Sequence, residues 1–366
     1  MIYFDNAATT RPLKSAIDIF CQTADKNFGN ASSLHGFGVC SEKIVEAARK
    51  KLIKRFGGEG YSLVFTSGGT ESNNMAVFGV SKASKHGKKK IVSTAIEHES
   101  VFAPLNELEK SGYEVLRLSP CHDFERALVE AVDENTVMVS FMEVNNETGF
   151  VIDSEKVYRE IKEKNNRCVV HVDACQAFLK KYIYGDLISV SGHKIHSPKG
   201  IGGLFIKKDI KLSPFFFGGG QQSGFRPGTV PSELIAAFGA AAEEYKYDVA
   251  YIERLKDCFV GRLSEFNGIK INSYHNIPDI LNFSVLGIRS EVTLHFLAER
   301  GIYVSSGSAC AGGKPSHVIR AFGHSGEIVD SAVRVSFCMD NTIDEIDEFF
   351  TAFRDILKRL RRSKWK

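Results

Sequence analysis

The chain has 366 residues, of which 43% are hydrophobic and 25% charged. That ordinary globular balance leaves room for two domains and excludes wholesale disorder. A formal net charge of +3 is too mild to argue for direct nucleic-acid binding, and the basic cluster at 358–366 reads as a solvated helix end. No apolar run approaches a membrane span, and the first residues lack the blocks of a signal peptide. The eight cysteines show no CxxC spacing, so neither a metal site nor a disulfide framework is expected, and the reading is a reduced, cytoplasmic protein.

In chain order, an apolar segment at 1–4 predicts a short strand, followed by the small polar turn Asp5-Asn6-Ala7-Ala8-Thr9-Thr10. A Gly/Ser/Asn-rich loop at 28–38 runs into an apolar periodicity that predicts a helix over 39–56. The segment YSLVFT (61–66) reads as a strand, then comes Ser67-Gly68-Gly69-Thr70-Glu71-Ser72, then a helical pattern. A glycine-rich turn between strand and helix offers unpaired backbone N–H groups to a phosphate, although a plain Ser/Thr cap would look the same. No Gly-Lys-Ser/Thr follows, which excludes a Walker P-loop.

Strand IVSTAI (91–96) leads to Glu97-His98-Glu99-Ser100, where the histidine is suited to proton transfer or is only a helix-start residue. Strand TVMVSFMEV (136–144) ends at Asn145-Asn146, an arrangement also typical of an Asx turn. Strands alternating with helical patterns such as 154–164 predict βαβ units on a mostly parallel sheet, with ligands at the carboxyl ends of the strands.

The most informative stretch is 169–200. The run Val169, Val170, Val172 ends on Asp173, and the run 187–190 ends on Ser191, Gly192, His193 and Lys194. Two neighbouring strands ending in an aspartate and a lysine offer what pyridoxal phosphate (PLP) requires: an amine for the Schiff base and a carboxylate to keep the pyridine nitrogen protonated. Either residue alone would more often be a solvated charge. Asp173, Lys194, His98, Asn146 and Gly69-Thr70 all fall at expected strand ends, and that convergence from five segments carries the reading.

Beyond the lysine lie strand GGLFIKK, an aromatic run at 214–217 and the irregular loop GGGQQSGFRPGTV (218–230). A long amphipathic helix over 231–266 is expected to join the domains. Strands KINSY, ILNFSVL and AVRVSF and a final helix over 343–361 suit a smaller α+β domain. Cys310 sits in SSGSACAGGKPS, a stretch of small residues that cannot anchor itself in a core and should be exposed. The other seven cysteines read mostly as packing residues.

HVDACQ and SGHKIHSPKGIGG, together with DNAATT, SSGSAC and VRVSF, resemble the cysteine desulfurases among the class V aminotransferase-like PLP enzymes, over nearly the whole chain. The resemblance implies a PLP-dependent type I α/β fold acting as a homodimer. A large domain over 14–247 would carry a mostly parallel seven-stranded sheet, and a smaller α+β domain, 1–13 with 248–366, would carry the catalytic cysteine loop. It further implies that Lys194 bears the cofactor, Asp173 faces its ring nitrogen, His98 stacks on the ring and shuttles protons, and Gln176 touches the ring oxygen. Gly69, Thr70, Ser191, His193 and, from the other subunit, Thr229 would hold the phosphate. Asn146 and Arg334 would orient the substrate carboxylate. The implied reaction converts L-cysteine to L-alanine and leaves a persulfide on Cys310 for an acceptor protein, in iron–sulfur cluster assembly or tRNA thiolation. The family commonly shows Gln-Glu-Arg-Gly, then Arg-Ser/Ala-Gly-Thr, where this chain has Gln221-Gln222-Ser223-Gly224 and Pro227. Rival readings are a selenocysteine lyase or aminotransferase of the same fold, and a non-catalytic sulfur carrier or scaffold.

Overall fold

The computed structural model describes residues 1–84, 87, 89–306 and 316–363. Its backbone forms two compact units, a larger one from Thr10–Glu143 and Ile152–Tyr245, and a smaller one from Met1–Thr9, Val144–Val151 and Lys246–Lys366. The chain opens on strand β1 (Ile2–Tyr3) of the smaller unit.

The larger unit then follows with α1 (Lys14–Lys26), α2 (Gly36–Phe56), β2 (Tyr61–Thr66), α3 (Gly69–Ala83), β3 (Lys90–Thr94), α4 (Glu99–Lys110) and β4 (Glu114–Leu118). It continues through α5 (Phe124–Glu130), β5 (Thr136–Met142), α6 (Ser154–Lys164), β6 (Val169–Asp173), β7 (Leu187–Ser191), β8 (Gly202–Lys207) and α7 (Ser232–Glu244). The seven strands lie in the order β2-β8-β7-β6-β5-β3-β4. Only β8 runs antiparallel to its neighbours, while the pairs from β7 across to β4 are parallel. The carboxyl ends of β2, β3, β5, β6 and β7 therefore share one edge of the sheet, the edge where α/β sheets bind ligands. Strands β5 and β7 are buried along their whole length, as expected when helices cover both faces. Helix α3 contributes Met75, Ala76 and Val80 and α4 contributes Val101 and Leu105 to one cluster with Val64, Met138 and Leu204 of the sheet.

The apolar periodicity over 231–266 does not produce one helix. Helix α7 stops at Glu244, where Tyr245 takes extended dihedrals (φ −54°, ψ 127°). The Asp248 carboxylate then accepts from the Tyr251 backbone N–H and starts a new helix, α8 (Val249–Leu263). A side chain that competes for backbone donors makes a cap in mid-pattern, and periodicity alone does not register it.

The smaller unit adds β9 (Ile269–Ile271), β10 (Ile280–Val285), α9 (Ser290–Ala298), β11 (Ile302–Tyr303), β12 (Ser305–Ser306), α10 (His317–Ala321), α11 (Glu327–Asp330), β13 (Ala332–Ser336) and α12 (Ile343–Ser363). Four of its strands form an antiparallel sheet in the order β12-β13-β10-β9, and β1 pairs in parallel with β11. Its core is built on phenylalanine: Phe4, Phe259, Phe283, Phe337, Phe349, Phe350 and Phe353 are all buried in one cluster. Phe259 stands 4.8 Å from both Phe349 and Phe350 between ring centroids, within the range of favourable aromatic pairs. Phe4 brings the N-terminal segment into this cluster, and its carbonyl accepts from Ser336 N at 2.7 Å.

Candidate active site

In the larger unit, the turn after β2 delivers the start of α3 against the ends of β6 and β7. A side chain at Gly69 would collide with the Cys175 sulfur and next meet Ser191. A Cβ at Gly202 would lie 2.6 Å from Gly68 Cα. Gly202 lets backbone approach backbone and Gly69 makes room for the Cys175 side chain, so the first turn of α3, whose N–H groups have no acceptor within the helix, is presented beside Ser191. That is a site for an anion.

The turn is braced from both sides. Glu71 accepts from Ser67 N (2.8 Å) and from Arg226 Nε (2.9 Å). Burial pushes the Glu71 carboxyl up, but the hydrogen bonds from Arg226 and Ser67 outweigh it and hold the group below the usual carboxylate range. Gln222, one of the residues that depart from the family pattern, donates from Nε2 to Phe65 O (2.9 Å) and accepts from Phe65 N at Oε1 (2.7 Å). Its amide thus pairs with β2, an edge strand, as a neighbouring strand would. Gln222 and Ser223 both adopt positive φ, 50° and 58°, to reach this position.

Asp173 ends β6 and is buried. Its Oδ2 accepts from Asn73 Nδ2 at 2.8 Å and its Oδ1 from Cys175 N at 3.0 Å. Lys194 lies in the short turn Gly192–Lys194 directly after β7, the strand paired with β6. That turn is tied to Thr10, which donates to His193 O from both its N–H (3.0 Å) and its hydroxyl (2.9 Å). Burial, then the charges of Lys194 and Lys199, push His193 down to about 4, so the imidazole is neutral at physiological pH. Ser191 and Gln176 are buried, His98 is half-buried, and Thr70 and Thr229 are exposed.

Behind these residues lies a layer that sequence reasoning missed. Asn73 on α3, fully buried, joins Asp173 to Ser100 Oγ (2.8 Å), and Ser100 Oγ stands 2.8 Å from His98 Nδ1. Glu97, also fully buried, accepts from Thr94 Oγ1 and Met142 N. Burial raises its carboxyl to about 8, with the Asp173 charge adding to the rise against the hydrogen bonds. His171 spans Ser140 Oγ (2.8 Å) and Ser189 Oγ (3.0 Å) on the flanking strands, and burial lowers it to about 4. The sequence signal for His171, with Ser140 and Ser189, was polar residues within strands that are otherwise apolar; Asn73 and Ser100 gave none.

In the smaller unit, Arg334 on β13 is buried. It donates from Nη1 to Asn146 O and from Nη2 to Asp5 Oδ1, both at 2.7 Å. Its Nε is buried with no hydrogen-bond partner among the described residues. Asn145 Oδ1 accepts from Glu147 N and Thr148 N, both at 2.9 Å, which is an Asx turn that fixes Asn146. Glu147 accepts from Ser316 Oγ at 2.6 Å, and burial lifts its carboxyl to about 7 against the pull of Ser316 and Arg334.

Cys310 and Lys314 lie outside the described residues. The flanks of that tract are fixed: Ser305 is in register with Arg334 in the β12–β13 pair, and Ser316 caps α10 by accepting from Ile319 N. Among the described cysteines, Cys168 is buried, but Cys21, Cys40 and Cys121 are exposed. The reading of the other cysteines as packing residues therefore fails for these three, which sit on outward helix faces or in a loop.

The model of the family described as aminotransferase class-V matches residues 2–349. A "NifS/IcsS protein homolog" of Lactobacillus delbrueckii subsp. bulgaricus is 38% identical, with 97% of each chain covered. "Putative cysteine desulfurase IscS 1" of Bacillus subtilis is 35% identical, covering 98% of this chain and 99% of its own. Among solved structures, a "NIFS-LIKE PROTEIN" superposes with a TM-score of 0.89 at 33% identity, over 98% of this chain and 99% of the other. DndA from Streptomyces lividans does so with a TM-score of 0.75 at 32% identity, over 90% and 97%.

Proposed function

This chain belongs to the aminotransferase class-V family, and on that basis we propose that it is a pyridoxal-phosphate-dependent cysteine desulfurase that converts L-cysteine to L-alanine and retains the sulfur as a persulfide on Cys310. One observation carries the cofactor assignment. A buried carboxylate, Asp173, fixed by two N–H donors, stands at the end of the strand next to the one that leads into Lys194, and a glycine-lined helix start lies beside both strand ends. These residues fit PLP, with an amine for its aldehyde, a fixed negative charge for its ring nitrogen and an anion site for its phosphate.

When bound, the cofactor supplies an electron sink for negative charge developing at the Cα of the amino acid. The chain's own groups do the rest. The first N–H groups of α3 at Gly69 and Thr70, with Ser191 and neutral His193, hold the phosphate by hydrogen bonds rather than by a cationic clamp. Asp173 keeps a proton on the ring nitrogen, and Gln176 bonds the ring oxygen. Lys194 would hold the cofactor, and its free amine would remove the Cα proton. His98 moves a further proton. Arg334 and Asn146 bind the substrate carboxylate. Asp5 holds the guanidinium in place and leaves Nε to serve as donor. The Cys310 thiolate attacks the substrate sulfur, the C–S bond breaks with its electron pair remaining on carbon, and proton return at carbon gives alanine.

We read the active form as a homodimer in which Thr229 serves the partner's phosphate, with a sulfur-acceptor protein completing turnover. The test of the nucleophile is peptide mass spectrometry after exposure to L-cysteine. Sulfane sulfur is expected on the peptide bearing Cys310. Its appearance only on peptides bearing the exposed Cys21, Cys40 or Cys121 would overturn the assignment.

A further inference from the structure

Asn73 Nδ2 lies 2.8 Å from Asp173 Oδ2 and 2.8 Å from Ser100 Oγ. An amide nitrogen has two protons and accepts none, so one goes to each oxygen. The amide cannot be turned over, because its Oδ1 would then face the carboxylate. Oδ1 is instead left buried with no hydrogen-bond partner among the described residues, a cost accepted to keep the nitrogen where it is. Ser100 Oγ, accepting from Asn73, has a single proton left to give, and His98 Nδ1 stands 2.8 Å away. The same ring nitrogen receives the Ser100 backbone N–H at 3.1 Å. An imidazole nitrogen that meets two donors is the unprotonated one.

We propose that Asn73 and Ser100 are positioning residues that hold His98 as its Nε2–H tautomer and tie that choice, through one hydrogen-bond chain, to the Asp173 carboxylate. The carboxylate orients the amide, the amide orients the hydroxyl, and the hydroxyl with the start of α4 closes Nδ1. Any proton that His98 gives or takes passes through Nε2. The inference deepens the reading of His98 and Asp173 as groups that serve the cofactor ring, but the tautomer is set by this chain alone and can be read without turnover.

The experiment is ¹⁵N spectroscopy of the imidazole nitrogens in the cofactor-loaded protein, with His98 assigned by the signals lost in His98→Gln. Wild type should show His98 with Nε2 protonated and Nδ1 as an acceptor. Ser100→Ala, which removes one donor to Nδ1, should raise the ratio of Nδ1–H to Nε2–H tautomer about fivefold, the worth of one neutral hydrogen bond. Asn73→Leu, which removes the donor shared by Asp173 Oδ2 and Ser100 Oγ, should raise it too, and Ser100→Thr should restore the wild-type pattern. A protonated Nδ1 in wild type would overturn the proposal. So would a ratio unmoved by Ser100→Ala or by Asn73→Leu, including the case in which the melting temperature alone falls, the signature of ordinary packing contacts. If the protein forms no alanine from cysteine while the tautomer behaves as described, the functional reading fails and this one stands.

Discussion

Glu97 and His171 are fully buried titratable groups of the larger unit, and their displacement works in opposite directions. Glu97, raised from 4.5 to about 8, is protonated in the folded chain where the unfolded chain is ionised. The unfolded state binds fewer protons across that window, so this group subtracts stability as pH rises from about 5 toward 8. His171, lowered from 6.5 to about 4, is neutral when folded and charged when unfolded between those values, so its contribution is lost as pH falls through them. Urea unfolding of Glu97→Gln at pH 5 and pH 8 should therefore show a smaller loss of stability toward pH 8 than wild type. Equal losses in the two proteins would place the alkaline slope elsewhere. At this scale the strand-end positions of Asp173 and Lys194 were legible, because each follows an apolar run. Asn73 and Ser100 were not. They look like ordinary helix residues, and their contacts join positions 100 and 27 residues apart, a separation that no local pattern encodes.

At the scale of elements, the two places where local pattern misled are both side chains acting on backbone. Asp248 interrupts a helical periodicity by capping α8. Gln222 replaces a charged residue of the family pattern, and its purpose is visible only once β2 is known to be an edge strand. Its two hydrogen bonds to Phe65 cover donor and acceptor groups that would otherwise be open to another chain. Gln222→Ala should cost about 1–3 kcal/mol, the net worth of two such bonds in a half-buried setting. Chemical denaturation would measure it, and a change below about 0.3 kcal/mol would mean that water serves Phe65 as well as the amide does. The strands themselves were legible almost to the residue, since β-branched runs bounded by polar turns define β2, β5, β6 and β7 without reference to the rest of the molecule.

At the scale of the molecule, the chain builds two units from interleaved segments, and Val144–Val151 belongs to the smaller one although it follows a strand of the larger. Nothing in that stretch marks the change; the Asn145 turn and the Phe150–Phe322 contact at 5.4 Å do so only in three dimensions. The larger unit holds the groups that fit PLP, and the smaller one holds Arg334 and the anchored flanks of the Cys310 tract. In the proposed reaction the product is alanine and the sulfur passes through Cys310. The most direct measurement is alanine formed from L-cysteine with PLP and a thiol reductant, for wild type and Cys310→Ala side by side. Alanine from wild type and almost none from the variant is the predicted result. Equal alanine from both, or none from either, would contradict it.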